Sequence, residues 1–116
     1  MDLLNELKAL GADIDDAMGR FLNNEALYVR MLKKLVNNVR ENEVLSYIND
    51  GDFEQAVAYA HTLKGVMGNL SLTPLFTAYT EIVSLLRAGE NDKAKKTLED
   101  ILPLQEKFIS CIESCG

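Results

Sequence analysis

The residues with the clearest chemical potential surround the one histidine of the chain, His61. Residues 60–68 read Ala-His-Thr-Leu-Lys-Gly-Val-Met-Gly, and the apolar positions around them recur with a helical period. At about 100° per residue, His61 falls opposite the apolar stripe, on a face that it shares with Lys64, Gly65 and Gly68. An exposed imidazole is mostly neutral near neutral pH and offers a nitrogen as nucleophile. A nucleophile that lies beside a cation, on a surface without large side chains, is suited to carry a phosphoryl group covalently and to pass it on.

Lys64 and the two glycines are the neighbours that this chemistry needs. Lys64 follows His61 by three residues, so its ammonium reaches a group on the ring and stabilises the charge of a phosphoryl group; the alternative is a solvated surface lysine. A glycine inside a helix costs roughly 1 kcal/mol relative to alanine, and access of a partner to the imidazole would explain that cost at Gly65 and Gly68. For Gly68 the alternative is a helix C-cap. We expect the attack to come from Nε2 of His61, the outer ring nitrogen.

The elements that position this face are all predicted to be helices. Periodicity and stop signals predict helices over about 3–10, 13–22, 25–39, 44–50, 73–88 and 92–112, and one that begins after Asp52 and ends between Gly65 and Leu70. The four longer helices are amphipathic and are joined by short connections, which favours an antiparallel four-helix bundle. The short additional N-terminal helices would flank this bundle. We therefore expect an all-α fold with residues 1–116 as a single domain.

Side chains at the predicted helix ends refine this assignment. Asn24, Asp52 and Asn91 are candidate N-caps, and Gln55 is placed as the capping-box partner of Asp52. Pro103 lies inside the last helical pattern, where it removes one backbone donor and crowds the preceding turn. We expect a kink or a break there, because the apolar stripe continues in phase on both sides.

Composition limits the partners and the compartment. The chain has 18 acidic and 12 basic residues and a net charge of −6, which argues against nucleic acid as a partner. No apolar run reaches the roughly 18 residues of a membrane span, and the first residues lack a signal-peptide pattern. We expect a cytoplasmic protein without membrane contact, either as given or cut from a larger membrane-bound protein. Cys111 and Cys115 are expected to be reduced thiols, because a disulfide at this spacing would strain a helix and a metal site would need further ligands.

These residues resemble a known family. The string His-Thr-Leu-Lys-Gly at 61–65, followed by Gly68 and set in an all-helical chain of this size, is similar to the histidine-containing phosphotransfer (HPt) domain of two-component phosphorelays. The segments 21–28 and 51–53 are also typical of that family ahead of its histidine helix. The similarity covers most of the chain.

The resemblance implies a role for each residue of the histidine face. His61 would accept and donate the phosphoryl group, Lys64 would assist by its charge, and Gly65 and Gly68 would give the partner access. The partner would be a response-regulator receiver domain, which supplies the phosphoaspartate and the Mg²⁺, and a histidine kinase is a possible second partner. The protein would carry no cofactor or metal of its own. It would act as a monomer and be the phosphorylated intermediate rather than an enzyme.

Two other interpretations stay open. The first is the phosphoacceptor domain of a chemotaxis-type or hybrid histidine kinase, with the same chemistry at His61 and a different donor; the absence of kinase sequence in this chain favours a separate relay module. A helical adaptor that binds its partner without phosphorylation would tolerate replacement of His61, but it leaves Gly65 unexplained. A free-standing enzyme is disfavoured, because the sequence has no nucleotide motif and no paired carboxylates at an evident site.

Overall fold

The computed structural model describes residues 2–41 and 43–114 of the chain. Within these residues it contains seven helices and no strand, so the all-α prediction is confirmed. The helices are α1 (Leu3–Ala9), α2 (Ile14–Arg20), α3 (Glu25–Glu41), α4 (Val44–Asn49), α5 (Phe53–Asn69), α6 (Thr73–Arg87) and α7 (Asn91–Glu113). No helix in the described part of the chain is long and apolar enough to cross a membrane. Cys111 is a free thiol, and Cys115 lies outside the described residues.

Short polar side chains cap the N-termini of several helices. The carboxylate of Asp13 accepts a hydrogen bond from the backbone N–H of Asp16 at 3.1 Å, at the start of α2. The amide oxygen of Asn24 accepts from the N–H of Leu27 at 3.0 Å, at the start of α3. Such a cap contributes about 1 kcal/mol by satisfying a helix-end donor. The N-cap predicted at Asn24 is confirmed.

Asp52 caps the histidine helix, although without the predicted reciprocal partner. Its carboxylate accepts from the N–H of Gln55 at 3.3 Å, at the start of α5. A capping box would also need the Gln55 side chain to accept from the N–H of Asp52. That N–H instead donates to the carbonyl of Tyr47 at 2.9 Å, in the turn that follows α4. The cap is confirmed and the capping box is wrong, because the preceding turn already uses the donor.

The start of α7 differs by one residue from the predicted one. Helix α7 begins at Asn91 itself, and Glu90 occupies the N-cap position without a side-chain cap. The backbone N–H of Glu90 donates to the carbonyl of Leu85 at 2.9 Å, which closes the turn at Gly89 (φ +77°) and lets the helix start one residue earlier. The Asn91 cap is therefore wrong. Among the described residues nothing hydrogen-bonds to the buried side-chain oxygen of Asn91.

Pro103 does not interrupt the last helix. Helix α7 continues through it from Asn91 to Glu113, so the break that we considered is wrong. Pro103 is exposed, and so is Glu99, whose carbonyl would have accepted the missing N–H. Both residues lie on the solvent side of the helix, while the buried Leu98 and Gln105 hold its other side against the core.

The four longer helices α3, α5, α6 and α7 form the bundle. Helices α5 and α6 pack together, as do α6 and α7, and three residues join each pair, which makes these neighbours antiparallel. Helix α3 packs on α7, α4 packs on α5, and the short N-terminal helices flank the bundle through contacts of α1 with α7 and of α2 with α3. The largest fully buried side chains of this core are Tyr28, Tyr79, Phe108, Leu7, Leu32, Met67, Leu72, Leu75, Ile82, Leu98 and Ile112. The bundle with additional N-terminal helices is thus the observed architecture.

Candidate functional site

His61 stands on the solvent side of α5. The core side of this helix buries Ala56, Ala60, Leu63 and Met67. His61 is exposed, as the helical wheel predicted. Within residues 2–41 and 43–114, none forms a hydrogen bond or an ion pair with the imidazole. Its ring nitrogens are therefore free to react with a group brought by another molecule.

Lys64 lies next to His61 on the same surface. It is half-buried and follows the histidine by about one helical turn. In the part of the chain that the structure describes, no carboxylate pairs with its ammonium. The ammonium is therefore available to a negatively charged group that another molecule brings to this surface.

The two glycines of this face have different surroundings. A Cβ built on Gly65 would meet no atom within 4 Å, so the surface one turn beyond His61 is open. A Cβ on Gly68 would lie 2.9 Å from Cδ1 and 3.0 Å from Cε1 of Phe76, which comes from α6. Gly68 is inside α5, whose C-cap is Leu70, so the C-cap interpretation of Gly68 is wrong. Gly68 is needed for the close approach of the Phe76 ring, and access of a partner through the glycines stays a prediction.

A cleft of about 350 Å³ opens over these glycines. One side of it comes from α2, which the sequence pattern alone does not place near α5. The other side comes from the turn between α5 and α6 and from the first turns of α6. The lining residues are Asp16, Arg20, Gly65, Met67, Gly68, Asn69, Ser71, Thr73 and Phe76.

Asp16 links the two sides of this cleft. The hydroxyl of Ser71 donates to Oδ2 of Asp16 at 2.6 Å, and Nε of Arg20 donates to the same oxygen at 2.8 Å. The Ser71 hydrogen bond first, and the Arg20 hydrogen bond second, hold the pKa of Asp16 below its usual value despite some desolvation. The carboxylate is therefore ionised and holds the guanidinium of Arg20 against the cleft.

The end of α5 is fixed by two further contacts from the N-terminal half of the chain. The backbone N–H of Asp13 donates to the carbonyl of Ser71 at 2.9 Å. The buried hydroxyl of Tyr28 donates to the carbonyl of Leu70 at 2.7 Å. Ser71 itself has a left-handed backbone (φ +58°), which is uncommon for a residue with a side chain. These bonds hold that turn in place and so set the position of α2 relative to the histidine helix.

Sequence reasoning missed four residues of this cleft, namely Asp16, Arg20, Ser71 and Phe76. The spacing of Asp16 and Arg20 is that of a helical ion pair and was visible in the sequence. Nothing local indicated that this pair lies against the end of α5. Among the described residues, no group of three or more histidine, cysteine, aspartate or glutamate side chains is arranged to hold a metal ion.

Comparison with known proteins agrees with the architecture. A family model described as the Hpt domain matches residues 2–109 of the 116-residue chain. Neither the curated proteins nor the solved structures that were compared gave a match. Hpt domains are phosphotransfer modules of two-component signalling, and their partners include receiver domains. Because the match covers nearly the whole chain, this protein belongs to the Hpt domain family.

Proposed function

We propose that this protein is a phosphorelay intermediate that carries the phosphoryl group on His61. This proposal rests on the exposed imidazole of His61, beside which lie the open surface at Gly65 and the ammonium of Lys64, which has no ion-pair partner among the described residues. A receiver-domain aspartate would be the donor, and the aspartate of another receiver would be the acceptor. On this proposal the protein has no cofactor of its own, and Mg²⁺ belongs to the receiver.

The transfer balances without any other reactant. The Nε2 lone pair of His61 attacks the phosphorus of the aspartyl phosphate, an N–P bond forms, and the P–O bond to the aspartate breaks. The electron pair of that bond leaves with the aspartate carboxylate, and the imidazolium proton stays on the ring or passes to water. In the second step the carboxylate of the next receiver attacks, and the N–P bond breaks. An O–P bond forms, the bonding pair returns to Nε2, and Nδ1 takes a proton back from water where it had lost one.

Lys64 and Gly65 have separate roles in this scheme. The ammonium of Lys64 offsets the charge on the phosphoryl oxygens while the group is on the ring and while it moves. The space above Gly65 admits the surface of the receiver that surrounds its aspartate, because no side chain stands there. Gly68 contributes indirectly, since it allows Phe76 to lie close to α5.

The test is transfer of labelled phosphoryl from phosphorylated receiver domains of the same organism. Wild type should acquire acid-labile, alkali-stable label, as expected for phosphohistidine, and His61→Gln should acquire none while keeping its helical content. Thr62→Ala, which removes the neighbouring exposed hydroxyl, should still be labelled.

Three outcomes would contradict the proposal. Label on His61→Gln would place the acceptor elsewhere in the chain. Labelling by a histidine kinase with ATP, but by no receiver, would favour the phosphoacceptor domain of a kinase. A folded protein that accepts label from neither donor would favour an adaptor that binds without phosphorylation.

A further inference from the structure

We propose that Arg20 is a docking residue of this protein, whose guanidinium binds a carboxylate on the surface of the receiver domain. This inference rests on the proposed function, because the receiver is the partner that it concerns. It assigns part of the partner recognition to α2, outside the histidine helix. It also predicts that the partner presents an acidic side chain beside its active site.

The position of Arg20 is the first argument. Arg20 and Gly65 line the same cleft, although they belong to α2 and α5. Gly65 follows His61 by four residues, which is about 6 Å along a helix. A stable protein interface covers roughly 800 Å² on each partner, so a receiver seated over His61 also covers the mouth of this cleft.

The fixed geometry of the guanidinium is the second argument. Its Nε donates to Asp16 at 2.8 Å, and Asp16 is in turn held by the hydroxyl of Ser71 at 2.6 Å. The two Nη groups have no hydrogen-bond or ion-pair partner among the described residues, and the side chain is 51% exposed. An arginine oriented in this way loses little side-chain entropy when it binds a carboxylate through its open donors.

The chemistry of the cleft selects the partner group. Arg20 is the one cation among the lining residues, and the one carboxylate, Asp16, already accepts two hydrogen bonds. The ring of Phe76 (38% exposed) also lines the cleft, together with Gly65 and Gly68. The cleft therefore fits an acidic side chain with an apolar neighbour.

Transfer kinetics from a phosphorylated receiver test this inference. The probe is the receiver domain of the same organism that transfers fastest to the wild-type chain. With Arg20→Gln we expect the KM for that receiver to rise about 10-fold while kcat stays within about 2-fold, since a docking contact at the edge of an interface acts on association. We also expect the KM of this variant to depend less on salt concentration than that of wild type.

Arg87→Gln is the matched control. It removes the same charge from an exposed arginine at the last residue of α6, whereas Phe76 of the cleft lies near the start of that helix. The distance between these positions is about 16 Å along the helix. Its KM should equal that of wild type. An equal rise in KM for both variants would mean that net charge alone matters, and would overturn the inference.

A second measurement decides whether Arg20 binds the receiver domain or the phosphoryl group on His61. Phosphoramidate phosphorylates imidazole without a docked protein, and the half-life of the phosphohistidine is then measured for wild type and Arg20→Gln. We expect equal half-lives, because Arg20 contacts the receiver. A changed half-life with an unchanged KM would place Arg20 on the phosphoryl group and would overturn the docking role.

The outcomes also separate this inference from the proposed function. If wild type accepts label and Arg20→Gln has the wild-type KM, the docking role is wrong and the relay function stands. If wild type accepts no label from any receiver, both fail together. Circular dichroism and thermal unfolding of Arg20→Gln check the fold, and little change is expected because the ion pair with Asp16 is exposed.

Discussion

The ring of Phe76 occupies the space that a side chain at position 68 would need, with Cδ1 only 2.9 Å from the Cβ position of Gly68. The absence of a side chain at Gly68 therefore lets the Phe76 ring of α6 lie against α5. Gly65, three residues earlier on the same face, has no such neighbour. One glycine serves the internal packing of the bundle, and the other leaves the surface beside His61 open.

The different surroundings of the two glycines predict opposite effects of alanine. Gly65→Ala should raise the free energy of unfolding by up to about 1 kcal/mol, because alanine is the better helix former and meets no atom. Gly68→Ala should be neutral or destabilising, because the Phe76 ring must move. Urea denaturation measures both. In a Phe76→Ala background, Gly68→Ala should stabilise as Gly65→Ala does; equal stabilisation by both glycine replacements in wild type would refute the packing role.

A large side chain at position 65 should slow phosphoryl transfer without lowering the stability of the fold. Gly65→Arg should fold at least as well as wild type, because arginine has a higher helix propensity than glycine and the site is open. Transfer from a receiver should slow by about 10-fold or more, since a misplaced partner loses the required geometry. Labelling of His61 by phosphoramidate is the control and should stay near the wild-type rate. Wild-type transfer from the receiver would remove the access role of Gly65.

The contacts of Asp16 predict part of the acid sensitivity of the fold. Its folded pKa lies below the ordinary 3.8, chiefly because of the hydrogen bond from Ser71. A carboxyl with a lowered folded pKa stabilises the protein above its unfolded pKa and loses that contribution as the pH falls through the folded value. Below about pH 4, wild type should therefore lose stability more steeply than Asp16→Asn, as measured by urea unfolding. Asp15→Asn on the same helix is the control and should keep the wild-type slope.

Tyr28 predicts a loss of stability at alkaline pH. Burial raises its pKa from 10.0 to about 12, and its hydroxyl donates to the carbonyl of Leu70. Tyr28 contributes fully to stability at a pH below the pKa that it has in the unfolded chain. This contribution is lost as the pH rises from there through the folded pKa, because the unfolded chain ionises first. Tyr28→Phe should cost about 1–2 kcal/mol near neutral pH, since it leaves a buried carbonyl without its donor. In this variant the free energy of unfolding should also fall less steeply between pH 10 and 12 than in wild type. An equally steep fall in both proteins would show that another group is responsible.

The local part of this protein was predictable from its sequence. Apolar residues at helical spacing and strong stop signals gave the helices to within a few residues, as at α5 and Asn24. The exposure of His61 followed from the same periodicity, because a helix has one buried face and one solvent face. The errors lie at the starts of α5 and α7, where the preceding turns decide the capping contacts, and at Pro103 inside α7, which the helix passes without a break.

The tertiary structure alone decided which groups meet at the site. Asp16 and Ser71 are 55 residues apart, and their hydrogen bond exists because α2 folds back on the end of α5. The contact of Gly68 with Phe76 likewise depends on the approach of α6 to α5. Helical periodicity reports which face of one helix is buried, but it carries no distance between two helices. The sequence by itself therefore determined the histidine face, and packing of the whole core determined the cleft and the place of Arg20 beside it.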